Sequence, residues 1–425
     1  MAYELDIPTP ADPDQLSQLE WIETNGTGGW ASSTVCGMNT RRYHGLLVAS
    51  DPLGPRRISQ VARMDETLVN SEGTFEISVV DYRDALHPQG YQLLRSFRKN
   101  IFPQFTYQAG GITLKKTIAA IQGQNTTVVQ YEVLEAEKPF SFRLNPFITC
   151  RDYHCLVHSN QAIRTDCSFQ NDLWKVNPYV GMPTIFIRFP GFLFIPKPIW
   201  YYNIHYRQEE ARGLDHMEDQ FTYGWFEKEL QQGDQICITL SSGEAPEKEG
   251  AMLLSQEQKR RMGLIQKGQD PTERILRLAA DQFLIQDGSG SSRIIAGYHW
   301  FTSWGRDTMV SLRGLCISTG RTGLAREILL EFLKYLSEGM LPNRFPDQGE
   351  APDYNTVDAT LWFFVACHDY YRVTEDEEFL TGTLIPNLQS IMDWHEKGTR
   401  YHIHEDSDGL LWSGKDGVQL TWMDA

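Results

Sequence analysis

The stretch "SQEQKRRMGLIQKGQDPTERILRLAADQFLIQDG", residues 255–288, decides the fold, because the sequence changes its period inside it. Its first part is charged and reads as a helix or a linker. Its second part opens on a helix-start signal. Asp270 can cap, Pro271 suits the first helical position, and Glu273 completes a capping-box pattern. Ile275, Leu278, Ala279 and Phe283 then give an apolar stripe at helical spacing.

Upstream, the chain alternates. "TLKKTIAAIQGQNTTVVQYEVLEA" (113–136) holds two runs of apolar–polar alternation split by a turn-prone "QGQN". "RRYHGLLVAS" (41–50), "FEISVVDY" (75–82), "FSFRLNPFITC" (140–150) and "DQICITLSSGEAPEKEG" (234–250) are further strand-length segments. This predicts a large antiparallel β-sandwich over residues 1–255, a linker over 256–270 and a helical domain over 271–425. "GMPTIFIRFPGFLFIPKPIWYY" (181–202) is apolar, but Arg188, Lys197 and three prolines break it. It reads as strands and turns, or as a loop over an aromatic surface, and not as a membrane span.

Downstream, helices are expected over about 271–286, 307–319, 322–338, 356–372 and 376–397, with Gly320 and Gly339 at C-termini that call for positive φ. Three loops lead into alternate helix starts: "HWFTSWGRD" (299–307), "RFPDQGEAPDYNTVD" (344–358) and "DSDGLLWSGKDGVQLTWMD" (406–424). Each carries aromatics and ends in an acid: Asp307, Asp358 and Asp424. Helical hairpins stacked around an axis would gather these loops into one cavity. The chain ends straight after "TWMD", where a helix start is read, so the expectation is a ring closed only part-way.

The net charge of −16 disfavours nucleic acid and anionic membranes as partners, and leaves a neutral sugar unopposed. Seven cysteines, scattered and without CxxC spacing, point to reduced thiols in a cytoplasmic protein, and the N-terminus lacks the basic and apolar regions of a signal peptide. "CRDYHCLVH" (150–158) fits no structural zinc spacing, and "TNGTGGW" (24–30) lacks a phosphate-loop lysine. No metal and no cofactor are expected.

The loops suggest sugar chemistry. Arg306 offers a planar fork of donors and Asp307 an acceptor, a pair able to hold adjacent hydroxyls. The plain alternative is that Asp307 caps its helix and Arg306 pairs with it. Trp304 and Trp422, beside charges at helix starts, are candidates to stack on a pyranose, whereas Trp362 and Trp394 read as core. Asp424 lies beside aromatics, a setting that keeps a carboxylic acid protonated for donation. Asp358 sits in "NTVD", which reads equally as a capping box.

"WIETNGTGGWASSTVCGMNTRRYHGLLVA" (21–49), "WFTSWGRDTMVSLRGL" (300–315), "YNTVDATLWFFVA" (354–366) and "GVQLTWMDA" (417–425) together resemble the bacterial and archaeal glycogen debranching enzyme family, the amylo-α-1,6-glucosidases. The resemblance implies a β-sandwich followed by an (α/α)6 toroid, here incomplete. It implies hydrolysis of α-1,6-linked glucosyl stubs on glycogen or another branched α-glucan, with inversion. It also makes Asp424 the general acid, Arg306 and Asp307 the binders of the terminal glucosyl unit, Trp304 part of that pocket, and Asp358 a supporting acid. The family's general base is a glutamate further along the toroid, so the 425 residues alone are expected to be inactive. Two other readings remain at this stage: an inverting glycoside phosphorylase, and a glucan-binding protein without catalysis.

Overall fold

The structure, a computed structural model, describes residues 3–51, 56–265, 269–286, 288, 290–344 and 351–422. The chain divides into two compact units, Met1–Ser50 with Arg57–Thr272, and Asp51–Arg56 with Glu273–Ala425.

The first unit is a two-sheet antiparallel assembly. One sheet has nine strands, in the order Tyr3–Asp6, Leu94–Lys99, Pro103–Ala109, Ile112–Ala120, Thr126–Ala136, Gln235–Ser242, Ile185–Arg188, Leu173–Val176 and Cys167–Gln170. The other runs Leu193–His205, Met217–Leu230, Phe140–Asp152, Arg57–Asn70, Gly45–Ser50, Trp30–Thr34 and Glu20–Thr24, with Gly73–Glu76 pairing onto Arg57–Asn70. The alternation read from the sequence is visible in burial. Along Pro103–Ala109 every second residue is buried, which is the two-residue period of a strand with one face on a core. Leu114, Ile118, Val129 and Ile238 of the first sheet share one core with Leu68, Phe142, Leu144 and Phe226 of the second. The apolar stretch 181–202 supplies the strands Ile185–Arg188 and most of Leu193–His205.

The segment left open as helix or linker contains a helix, α1 (Gly250–Gly263), that belongs to the sandwich unit. Its buried Arg261 pairs with Glu23 and Glu257 and donates to the carbonyls of Ile101 and Ala120. Among the described residues, no helix is long and apolar enough to cross a membrane.

The helical region holds α2 (Pro271–Gln282), α3 (Gly305–Leu312, continuing as a π-turn through Ile317), α4 (Thr322–Leu333), α5 (Asp358–Thr374) and α6 (Ile385–Lys397). Asp270 caps α2 by accepting from the backbone N–H of Thr272 at 2.8 Å, and Glu273 pairs with Arg277 at 2.9 Å. Met309, Leu312, Ile328, Leu329, Phe332, Phe363, Tyr370 and Ile391 form the core of this unit. Gly320 adopts positive φ, as expected; Gly339 does too, but α4 ends at Leu333, so Gly339 serves the turn of the Ser337–Met340 bridge and not a helix C-terminus, and a Cβ on it would lie 2.3 Å from Trp394 Cβ.

Two core expectations need correction. Trp362 is 40% exposed, because α5 buries the stripe Ala359, Thr360, Phe363, Ala366, Cys367 and Tyr370, and Trp362 is turned about 100° from Phe363. Trp394 is half-buried, with Lys397 Nζ 5.1 Å from its ring. In α2, Ile275 of the expected stripe is about half exposed, and Ala280 is the buried position. Phe283 reaches the core from the turn that follows the helix.

Candidate functional site

The three aromatic loops are joined by specific bonds. Gly305, the first residue of α3, donates its N–H to the Asn343 carbonyl at 2.7 Å. A Cβ at Gly305 would sit 2.1 Å from the Pro342 oxygen, so only glycine allows this approach. Trp304 forms an antiparallel bridge with Arg344, and Arg344 forms another with Asp353. A short backbone ladder therefore fixes the "WGRD" turn to the loop that leads into α5.

Side chains continue the connection. Arg306 Nε donates to Asp358 Oδ2 at 2.7 Å, across 52 positions of sequence. Both side chains are largely shielded from solvent, at 13% and 24% exposure, so this charge-assisted bond is stronger than a fully solvated surface pair. The other oxygen, Asp358 Oδ1, accepts the Thr356 hydroxyl at 2.7 Å. Thr356 Oγ1 in turn accepts from the backbone N–H of Ala359 at 3.3 Å. The third loop joins through backbone, where Val357 N–H donates to the Leu420 carbonyl at 2.8 Å. Met340, Val357, Ile403 and Leu420 make a small apolar floor below, flanked by Tyr354, Tyr401 and Val418.

These contacts correct the reading of "NTVD". The capping box would make Asn355 the cap and Asp358 its partner three residues on. Instead α5 begins at Asp358, and Thr356 supplies the hydroxyl that caps it. The helix thus starts two positions later than the box requires, and the Asp358 carboxylate in its first turn accepts from Arg306. In the other loop, Arg306 has an ion-pair partner that lies far from it in sequence, Asp358. Asp307 lies in the first turn of α3 and Asp358 in the first turn of α5, where the helix dipole favours negative charge.

Of the expected site residues, the structure brings together Trp304, Arg306, Asp307 and Asp358. Trp304 is half-buried, with Phe301 packed edge-on at 5.8 Å and 83°. Trp422 follows Leu420 by two residues and is 73% exposed. Asp424 lies outside the described residues. Thr356 is the member that sequence reasoning missed. Its signal was the hydroxyl two places before an acid at a helix start. Nearby, burial pushes the Tyr354 phenol up and its O–H donates to the Tyr335 carbonyl, so it keeps its proton. Burial likewise pushes the Cys316 and Cys367 thiols up to about 12, which makes them packing groups and not nucleophiles.

Similarity to known proteins agrees with the motifs. Residues 19–237 match the family model described as glycogen debranching enzyme N terminal, and residues 278–425 match that of amylo-alpha-1,6-glucosidase. The glycogen debranching enzyme of Saccharomyces cerevisiae (strain ATCC 204508 / S288c) is 40% identical over 173 residues, a match that takes in 30% of this chain and 11% of the yeast protein. The chain thus matches about a ninth of that relative's length. A bacterial glucoamylase solved in complex with acarbose overlays on 90% of this chain and 58% of its own, with TM-score 0.42 and 12% identity. With more than half of its residues matched by the N-terminal family model and most of the remainder by the glucosidase model, the chain belongs to the glycogen debranching enzyme family.

Proposed function

We propose that the joined loops form the terminal-glucose subsite and the acid side of an inverting glycoside hydrolase. Its substrate is an α-1,6-linked glucosyl stub on glycogen or a related branched α-glucan, and its scaffold is part of an (α/α)6 toroid. The observation that carries this reading is the Arg306–Asp358 bond together with the Val357–Leu420 backbone bond, which ties all three motif loops to one another. Arg306 presents donors and Asp307 an acceptor to adjacent hydroxyls of the terminal ring. Trp304, steadied by Phe301, offers its face to the ring's C–H side, and the exposed Trp422 serves the neighbouring sugar. Asp358 holds Arg306 in place.

In this reading Asp424 is protonated in the resting site and passes its proton to the glycosidic oxygen as the C1–O bond breaks. A water attacks C1 from the opposite face, and a second carboxylate takes the proton it sheds, so glucose leaves with inverted configuration. The family's glutamate, beyond these residues, fills that last role. A net charge of −16 does not oppose a neutral glucan, and a cytoplasmic setting suits both the substrate and the seven free cysteines.

The test uses a chain that carries the family's glutamate. Asp424→Asn is expected to lower turnover on a limit dextrin at least about 100-fold while leaving glucan affinity nearly unchanged. Fresh product observed by NMR should be the β-anomer. Loss of affinity with normal turnover, α-anomeric product, or a sugar phosphate formed only with phosphate would each overturn the reading. The 425 residues alone should bind the glucan and release no glucose.

A further inference from the structure

The sandwich unit contains a second arrangement of chemical interest, on the connection between strands Leu193–His205 and Met217–Leu230. His205 ends the first strand, Glu210 lies on the one-turn helix Arg207–Ala211, and His216 directly precedes the second strand. The backbone fixes this connection, since Tyr206 N–H donates to the His216 carbonyl at 2.9 Å and His205 pairs with Met217 across the strands. One ligand-type atom from each of the three side chains lies within 4.8 Å of the other two. No metal is expected from the sequence, whose most metal-like stretch is "CRDYHCLVH". There Cys150 is buried with its thiol pushed up to about 12, and His154 Nδ1 meets the Tyr43 hydroxyl at 3.1 Å.

The hydrogen bonds at the far side of each ring set the chemistry. His205 Nδ1 faces Asp81 Oδ2 at 3.3 Å, and His216 Nδ1 faces the Leu214 carbonyl at 2.9 Å. An ionised carboxylate and a carbonyl can only accept, so each Nδ1 carries the hydrogen. That leaves Nε2 as the ring nitrogen turned toward the cluster, a metal ligand once any proton on it is displaced. Both Nε2 atoms point at Glu210: His205 Nε2 lies 2.9 Å from Oε2, and His216 Nε2 lies 3.6 Å from Oε1. Two ring nitrogens and a carboxylate that converge on one point are held together either by a proton, as in the His205–Glu210 hydrogen bond, or by a metal cation that displaces it. The buried Asp81 behind His205 and the Leu214 carbonyl behind His216 are the outer partners that metal-binding histidines use to fix tautomer and orientation.

We propose that His205 Nε2, Glu210 and His216 Nε2 bind a zinc ion, with Asp81 and the Leu214 carbonyl orienting the two rings. Two imidazoles and one carboxylate suit Zn²⁺ better than Mg²⁺ or Ca²⁺, which favour all-oxygen sets. Zinc bonds of about 2.0–2.2 Å at tetrahedral angles place neighbouring ligand atoms about 3.3 Å apart. The observed 2.9 and 3.6 Å run to different oxygens of Glu210, and the three ligand atoms lie within 4.8 Å of one another, so side-chain rotation has to draw them in around the ion. The fourth position is left to water. The ion closes the strand connection as a clasp. It has one competitor, since Arg83 Nη2 lies 3.3 Å from Glu210 Oε1. Arg83 is mostly solvent-exposed and can swing aside, whereas Arg207 remains on Asp81 and Asp14.

The experiment takes the purified 425-residue chain, strips it with chelator and titrates it with Zn²⁺ by calorimetry. Co²⁺ titration is followed by visible absorption. The expected result is saturable one-to-one binding, a tetrahedral Co²⁺ spectrum and a melting temperature raised by several degrees at saturating zinc. Glu210→Gln and His216→Gln, both on partly exposed side chains, should each abolish the Co²⁺ spectrum while circular dichroism remains that of the parent. Arg83→Ala should tighten zinc binding, a gain that a merely structural ion pair would not give. His158→Ala, outside the cluster, should change nothing. Absence of saturable binding, or binding that persists in both ligand variants, overturns the proposal.

Discussion

In the sandwich, Glu66 of one sheet meets Lys116 and Tyr131 of the other inside the core, and Ser78 Oγ completes its hydrogen bonds. In the helical unit, Phe363 of α5 is fully buried while Leu361, Trp362 and Val365 on the other side of the same helix stand 40–44% exposed. The two regions meet the demands of burial in opposite ways. The sandwich closes so completely that it encloses an ion pair and satisfies it from both sheets. The helices carry apolar residues all round, and this unit buries only one stripe of them. An all-round apolar pattern belongs to a helix with packing partners on both sides.

The largest effect should come from opening the sandwich's enclosed charge. Lys116→Met leaves the Glu66 carboxylate buried without its cation, and a loss of about 3–5 kcal/mol is expected in chemical denaturation of the sandwich transition. Adding Glu66→Leu removes the stranded charge and should restore most of that loss. If the double variant is no better than the single one, the pair is not the coupled unit that the geometry describes.

A smaller effect separates two neighbours on α5. Phe363→Ala empties a core site and should cost about 3–4 kcal/mol in the helical unit's transition. Trp362→Ala, one position earlier and facing outward, should cost less than about 1 kcal/mol and should improve solubility. Equal costs would mean that the Trp362 face is already packed in solution, and the contrast between the two regions would narrow.

How far each feature was legible in the sequence follows from the range of the interaction that sets it. Strand alternation, the Asp270 cap and the positive φ at Gly320 depend on a few adjacent residues, so the sequence displays them. The face of α5 that meets the core could not be read, because Leu361, Trp362 and Phe363 are all apolar and periodicity gives no direction when both faces qualify. The partner of Arg306 was hidden for a different reason. Asp307 stands beside it in the sequence, whereas Asp358 is 52 positions away and is brought near through the bridges of Arg344 with Trp304 and Asp353. The zinc cluster spans only residues 205–216. Its ligands are spaced five and six apart, which matches no familiar motif, and Asp81 arrives from another strand.

The smallest effect concerns charge at the surface of the helical unit, where little is enclosed. Asp376 accepts from the Phe379 backbone N–H at 3.0 Å and from the Tyr370 hydroxyl at 2.9 Å, with Arg326 Nε 3.4 Å away. The Phe379 N–H first, then the Tyr370 hydroxyl and the Arg326 charge, hold its carboxyl below the ordinary value of 3.8. A carboxyl depressed in the folded state adds stability above its unfolded value and loses it as pH falls through the folded one. Asp376→Asn keeps an acceptor for the Phe379 N–H but removes the charge. The variant should therefore melt slightly below the parent at neutral pH, and the gap should close as the pH drops below about 3.8. A gap of constant size down into acid would assign the effect to the shape of the cap and not to its charge.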